Sequence, residues 1–339
     1  MRNRGRLAVA AALLLVVVAA WATATSGASF TATKSNPSNV LSAASSFPGI
    51  RVASGSYTGN NTDNRAITGV GFQPDVVIVK SADNSGVAEI RTSTMAGDVT
   101  KPMTGTTALT ANLIQSLDSD GFTIGGGNAS SNPVNKNGST FQWTAFKSYA
   151  GHMALGSYTG NGTSKSITGL GFSPEYAMVL PGANTAAIQR MSGMTRTFTF
   201  GADTGSTTGI ASFDSTGFSV GNSTSVNTTA ATYYYVAWNE DVDEMDTGAY
   251  TGTGVSRSVT GVGFQPSFVM VHANDTTTGR AGAMRPSSLA GTASQPFTAT
   301  ANESAGITAL QSDGFQAGTS VTVNNNGTTY DYVAFKDKP

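Results

Sequence analysis

Apolar residues fall on successive, not alternate, positions in three short runs: Val76-Val77-Ile78-Val79, Tyr176-Ala177-Met178-Val179 and Phe268-Val269-Met270-Val271. Each run follows a Gly-Phe-x-Pro turn, at Gly71–Pro74, Gly171–Pro174 and Gly263–Pro266. Proline presets φ and removes a backbone donor, so the turn delivers the chain into an extended segment. A continuous apolar run of this length suits a strand covered on both faces. Periodicity alone also admits a buried helix, and the flanking Gly and Pro favour the strand.

Other segments recur around these runs in fixed order. Upstream lie Gly55-Ser56-Tyr57-Thr58-Gly59, Gly156-Ser157-Tyr158-Thr159-Gly160 and Gly248-Ala249-Tyr250-Thr251-Gly252, each followed by a short β-type segment opened by Arg65, Lys165 or Arg257. Downstream, Asp120-Gly121, Thr216-Gly217 and Asp313-Gly314 sit between apolar residues and mark tight hairpins. The last strand is aromatic: Phe141-Gln142-Trp143-Thr144-Ala145-Phe146, Tyr233-Tyr234-Tyr235-Val236-Ala237-Trp238 and Tyr330-Asp331-Tyr332-Val333-Ala334-Phe335. One face of it reads aromatic, aromatic, Ala, and the other ends in Phe or Trp, which is a packing pattern.

The repeat length is therefore roughly 90–100 residues, far above that of solenoid repeats or propeller blades. Six or seven short strands per repeat, with no helical stripe in the mature chain, predict an all-β protein of three tandem antiparallel β-sandwich modules. The expected limits are 55–148, 156–240 and 248–337, arranged as beads joined by short connections at 149–155 and 241–247.

Residues 1–28 read as an export signal. Arg2, Arg4 and Arg6 precede an apolar run from Leu7 to Trp21, and small-x-small cleavage candidates follow at Ala22-Thr23-Ala24 and Ser26-Gly27-Ala28. The run is short for a membrane span, so contact with a membrane is expected only if the signal stays uncleaved. Residues 29–54 form an extended segment and linker. The expected location is secreted or cell-surface.

Composition narrows the chemistry. Charged residues are 12% of the chain and the net charge is −1, with no basic block beyond the first residues, so no nucleic-acid partner is expected. The absence of cysteine excludes disulfides, thiolate metal sites and Cys nucleophiles.

Two resemblances follow from these motifs. The segment Ala28–Asn39 resembles the start of bacterial exported proteins of the camelysin and matrix-fibre type. The ordered set Tyr-x-Gly-Asn-Gly, Gly-Phe-x-Pro-Asp, Asp-Gly-Phe and Tyr-Val-Ala-Trp resembles a tandem repeat of phage virion and tail-associated proteins and some bacterial surface proteins. That resemblance implies concanavalin A-like or jelly-roll sandwiches and adhesion or glycan contact, not catalysis. Repeat 2 departs from the pattern at Pro181-Gly182.

Candidate chemistry is sparse. Arg91, Arg190 and Arg285 recur between a buried strand and a polar loop, where a guanidinium fork can hold carboxylate or sugar hydroxyls, and anchoring of the loop through carbonyls is the plainer alternative. Trp143, Tyr235 and Tyr332 offer stacking faces for a sugar ring, against core packing as the plainer role. Asp118-Ser119-Asp120-Gly121 looks like the start of a calcium loop, but the acids do not recur in every copy, so a hairpin is expected. Asp241, Asp243, Glu244 and Asp246 are weighed as a Ca²⁺ site and read as a solvated acidic linker. His152 and His272 have no partner at ligand spacing. No catalytic residue, metal or cofactor is assigned. The expected function is non-enzymatic adhesion or weak multivalent binding of a surface polysaccharide or other envelope polymer. The alternative is a structural subunit that binds copies of itself in a filament or virion-like assembly, and a polysaccharide hydrolase comes third.

Overall fold

The computed structural model describes residues 49–337 apart from 84–85, 127–131 and 242. The expected signal peptide, and the linker up to residue 48, lie outside the described residues. Repeat 1 contains β1 (Arg51–Thr58), β2 (Arg65–Thr68), β3 (Val76–Ser81), β4 (Glu89–Thr92), β5 (Lys101–Pro102), β6 (Ile114–Asp118), β7 (Gly121–Ile124) and β8 (Thr140–Lys147). These form a five-stranded sheet, β1-β8-β3-β4-β5, and a three-stranded sheet, β2-β7-β6, both antiparallel.

Repeat 2 copies the plan. Its strands are β9 (Met153–Thr159), β10 (Lys165–Thr168), β11 (Tyr176–Pro181), β12 (Ile188–Met191), β13 (Phe198–Thr199), β14 (Ile210–Asp214), β15 (Gly217–Val220) and β16 (Thr232–Trp238), with one helical turn α1 (Thr224–Asn227). Repeat 3 has β17 (Met245–Thr251), β18 (Arg257–Thr260), β19 (Phe268–Ala273), β20 (Ala283–Pro286), β21 (Gln295–Pro296), β22 (Ile307–Gln311), β23 (Gly314–Ala317) and β24 (Thr329–Phe335), with α2 (Val321–Asn324). The sheet orders are β13-β12-β11-β16-β9 with β10-β15-β14, and β17-β24-β19-β20-β21 with β18-β23-β22. The all-β, three-sandwich expectation holds, and the apolar runs are central strands, not helices.

The two faces of each central strand go to different cores. Val77 and Val79 pack inside repeat 1 with Ile67, Phe122 and Trp143, and Ala177, Val179, Val269 and Val271 do the same in their own repeats. Val76, Ile78, Tyr176, Met178, Phe268 and Met270 instead share a single cluster with one another. At its centre stand the last residues of the aromatic strands. The ring centroids of Phe146, Trp238 and Phe335 lie 5.2–5.7 Å apart in all three pairings. The beads-on-a-string expectation is corrected here: the described residues form one compact unit, because the outer face of each five-stranded sheet is apolar and is covered by the other two repeats.

The contacts run cyclically. The segment after the fifth strand of each repeat meets the hairpin between the third and fourth strands of the next. Leu109 N donates to Gly182 O at 3.4 Å, Gly282 N to Phe200 O at 3.2 Å, and Asn302 N to Ala82 O at 2.8 Å. Arg51 Nε and Val52 N, at the start of repeat 1, both donate to Asp337 of repeat 3 at 2.9 Å, joining the first strand to the end of the last repeat.

Within each sandwich, recurring residues do recurring work. Gly55, Gly156 and Gly248 stand opposite Trp143, Tyr235 and Tyr332. A Cβ at any of them would come within 2.5 Å of the aromatic side chain that lies over it. Each ring then meets the hairpin Phe edge-on, as in Phe122–Trp143, Phe218–Tyr235 and Phe315–Tyr332. Asp120 accepts from Gly69 N and Gly71 N at 3.2 and 2.7 Å, and Asp313 does so from Gly261 N and Gly263 N at 3.1 and 2.7 Å. The paired glycines have φ of 84–92°, the left-handed region that suits Gly. Repeat 2 has Thr216 at this place, and only its backbone O is bonded, to Leu170 N.

This architecture sets two expected outcomes. Thr216→Asp should give repeat 2 the two charge-assisted bonds its neighbours have and stabilise the chain by about 1 kcal/mol in urea unfolding; a destabilised variant would count against the equivalence of the turns. Repeat 2 expressed alone should assemble or aggregate through its uncovered apolar face. A folded, monodisperse monomer in light scattering would show that the shared cluster is dispensable.

Candidate functional site

The recurring arginines are spent on backbone. The Arg91 guanidinium donates to the carbonyls of Val99, Ile114, Met95 and Gly97. Arg285 does the same with Ala293, Ile307, Leu289 and Gly291, and Arg190 with Met194, Ile210 and Ala211. Each one pins the loop that follows its own strand. Trp143 and Tyr332 are each 6% exposed, and Tyr235 is half-buried, all three turned into their own sandwich core. Tyr332 also donates to Asp246 Oδ2 at 2.7 Å. The structure therefore gives the six sequence candidates architectural work and does not bring them together.

A groove of about 690 Å³ opens in repeat 1 beside β4 and β5, with Ala299 of repeat 3 also lining it. Thr104, Thr107, Thr110 and Asn112 line it together with the buried Glu89. Glu89 is the first residue of β4, is 2% exposed, and has an Oε2 with no hydrogen-bond partner. Burial holds its carboxyl well above the usual carboxylate range, with Lys101 opposing the shift only in part. A neutral carboxyl both donates and accepts hydrogen bonds. Behind it, Lys101 is fully buried and donates to Thr107 O, Ala183 O and Thr185 O at 2.6–3.2 Å. Repeat 2 has a smaller cavity of about 170 Å³ at the matching place, lined by Ile188, Thr197, Thr199, Asp203 and Ser206. Ala283 occupies the corresponding strand position in repeat 3.

A second cluster forms where the connections into repeats 2 and 3 meet. His152 Nδ1 lies 3.1 Å from Asp241 Oδ2 and 3.2 Å from Glu244 Oε2. Glu244 is 1% exposed and also accepts from Ile50 N at 2.8 Å. The expected solvated acidic linker is corrected: its Glu244 is tucked under the start of repeat 1. Sequence spacing gives no hint of this; pairing of the first and last strands of repeat 2 brings the two connections together, with Met153 opposite Trp238 and Asn239 N donating to His152 O at 2.8 Å. The Asp118–Gly121 motif is a hairpin, with Asp118 accepting from Ser116 Oγ and Thr123 Oγ1, both at 2.8 Å.

A family described as Domain of unknown function (DUF7483) matches the chain three times, at residues 48–153, 148–242 and 240–338. The chain belongs to the DUF7483 family. Each DUF7483 copy coincides with one sandwich and includes the connection before or after it, so the family unit contains the surface that faces its neighbours. No curated protein matches the chain.

Buried cations give these seams a pH signature. Burial lowers Lys80 and Lys101 to about 8, with Asp83 and Glu89 respectively opposing it. The unfolded chain then holds more protons than the folded one from about pH 8 up to the ordinary lysine range near 10.5, so stability rises with pH across that window. The melting temperature should climb between pH 8 and 10, and a K80M/K101M variant should lose the climb. An equal climb in the variant would place these lysines in water.

Proposed function

We propose that this protein is an exported, non-enzymatic surface or extracellular protein that holds a neutral hydroxylated polymer, such as a surface polysaccharide or other envelope glycan, in the groove of repeat 1. The observation that carries the reading is the groove's chemistry. The buried Glu89 carboxyl, which burial biases towards its neutral form, stands among threonine hydroxyls and the Asn112 amide, a set that can exchange hydrogen bonds with sugar hydroxyls. The low charge of the chain agrees with a neutral ligand. The charged start and apolar run of residues 1–28 support export, and the resemblance to phage-virion and bacterial-surface repeats supports a place outside the cell.

Catalysis fits the groove poorly. Glycoside hydrolysis uses two carboxyl groups facing one bond, and Glu89 is the one acid among the described lining residues. Equal sites in three modules fit poorly too, since Glu89, Ile188 and Ala283 give the three positions different chemistry. Recognition is thus assigned to repeat 1, with the other two as its support.

The test is a glycan array and titration calorimetry on the whole chain, because a single repeat would expose its shared face. Ala111 lines the groove and is exposed, so Ala111→Trp should obstruct the groove without entering the core and weaken binding at least tenfold. Thr207→Trp, on an exposed loop of repeat 2, should leave binding unchanged. Binding to no polysaccharide, or equal binding by the Ala111 variant, would refute the assignment.

A further inference from the structure

The cluster of His152, Asp241 and Glu244 is independent of the groove. Its three donors come from two connections that lie far apart in sequence. One nitrogen and two carboxylate oxygens all lie within 4.8 Å of one another. The two edges from His152 Nδ1, 3.1 and 3.2 Å, fall between those of an octahedron and a tetrahedron, about 3.0 and 3.4 Å, built on metal–ligand bonds of about 2.1 Å.

We propose that His152 Nδ1, Asp241 and Glu244 form one face of a binding site for a divalent transition-metal ion of the Zn²⁺ class. A borderline ion is indicated, because imidazole with carboxylate suits Zn²⁺ and its neighbours, whereas Ca²⁺ takes six to eight oxygens. Glu244 is oriented for this role by the bond from Ile50 N, the kind of outer contact that fixes a ligating carboxylate. The remaining positions on the ion are filled by water, since Asp241 and His152 are partly exposed.

Such an ion would act on the ring. It would tie the connection into repeat 2 to the connection into repeat 3, and through Glu244 to the first residues of repeat 1. An ion that binds only the folded chain adds stability by mass action. The role is structural, not catalytic.

The composition makes the test clean. The chain has two histidines and no cysteine, and His272 is fully buried, so a zinc response in an untagged protein reports on His152. After treatment with a chelator, the full chain is titrated with Zn²⁺ by calorimetry and followed by thermal melting at pH 7.5. The expected result is one equivalent bound at micromolar concentration and a melting temperature raised by several degrees. His152→Ala and, as a milder change that keeps the shape of the cluster, Asp241→Asn should abolish the binding while each metal-free variant still melts cooperatively. Co²⁺ should give a d–d absorption band that the His152 variant lacks. No stoichiometric binding by the wild type, or undiminished binding by the His152 variant, overturns the site.

Discussion

The apolar outer face of the five-stranded sheet governs this molecule. A three-stranded partner covers one face of that sheet and leaves the other bare. In each repeat the bare face carries large side chains, among them Phe146, Trp238, Phe335, Tyr176 and Phe268. Burying an aromatic ring of this size contributes about 2–3 kcal/mol, and a well-placed ring pair adds about 1 kcal/mol more. Three such faces meet at one place, and the triangle of Phe146, Trp238 and Phe335 is where they close. No repeat can satisfy its own sheet, so the folding unit is the ring, not the sandwich.

Closure of three similar parts raises a question of order, and the seams answer it by being unlike. At the seam from repeat 1 to repeat 2, Lys101 gives its three protons to one carbonyl of its own repeat and two of the next. The seam from repeat 2 to repeat 3 is aromatic: Phe198 lies against His272, and Phe200 against Phe297. At the seam from repeat 3 back to repeat 1, Lys80 donates to Thr300 O at 3.0 Å and Gln295 Nε2 to Lys80 O at 3.3 Å. A lysine placed against the aromatic seam would lose its carbonyl partners at a cost of several kcal/mol. Buried polar groups that cost stability thereby enforce which neighbour sits where.

Much of this fold is legible in the chain. A strand alternates its faces with period two, so the sequence alone assigns Phe141, Trp143 and Ala145 to one side and Phe146 to the other. The continuous run Val76–Val79 likewise announces a strand covered twice. The pattern does not say where the second cover comes from, and the short connections that read as flexible joints are packed corners. The recurring Asn135, Asn227 and Asn324 are also hidden among many loop asparagines. Each is fully buried and accepts from a backbone N–H of the first turn, at Asn60, Asn161 and Thr253. Their shared position just before the last strand is the signal that could have found them.

The same comparison separates architecture from recognition. The recurring loop arginines, first-strand tyrosines and ring-facing glycines each have a structural use in hand. The arginines hold loops, the tyrosines of the first strand reach the carbonyls of Val134, Val226 and Val323, and the glycines make room for rings. A repeated residue in a closed ring is selected first by the ring, so repetition is a poor guide to a ligand site here. Divergence is the better one. The first position of the fourth strand is free of the recurring network and reads Glu89, Ile188 and Ala283. The first connection supplies His152 where the second supplies Asp241 and Glu244. Chemistry in this protein is found where three similar copies were released from the need to be the same.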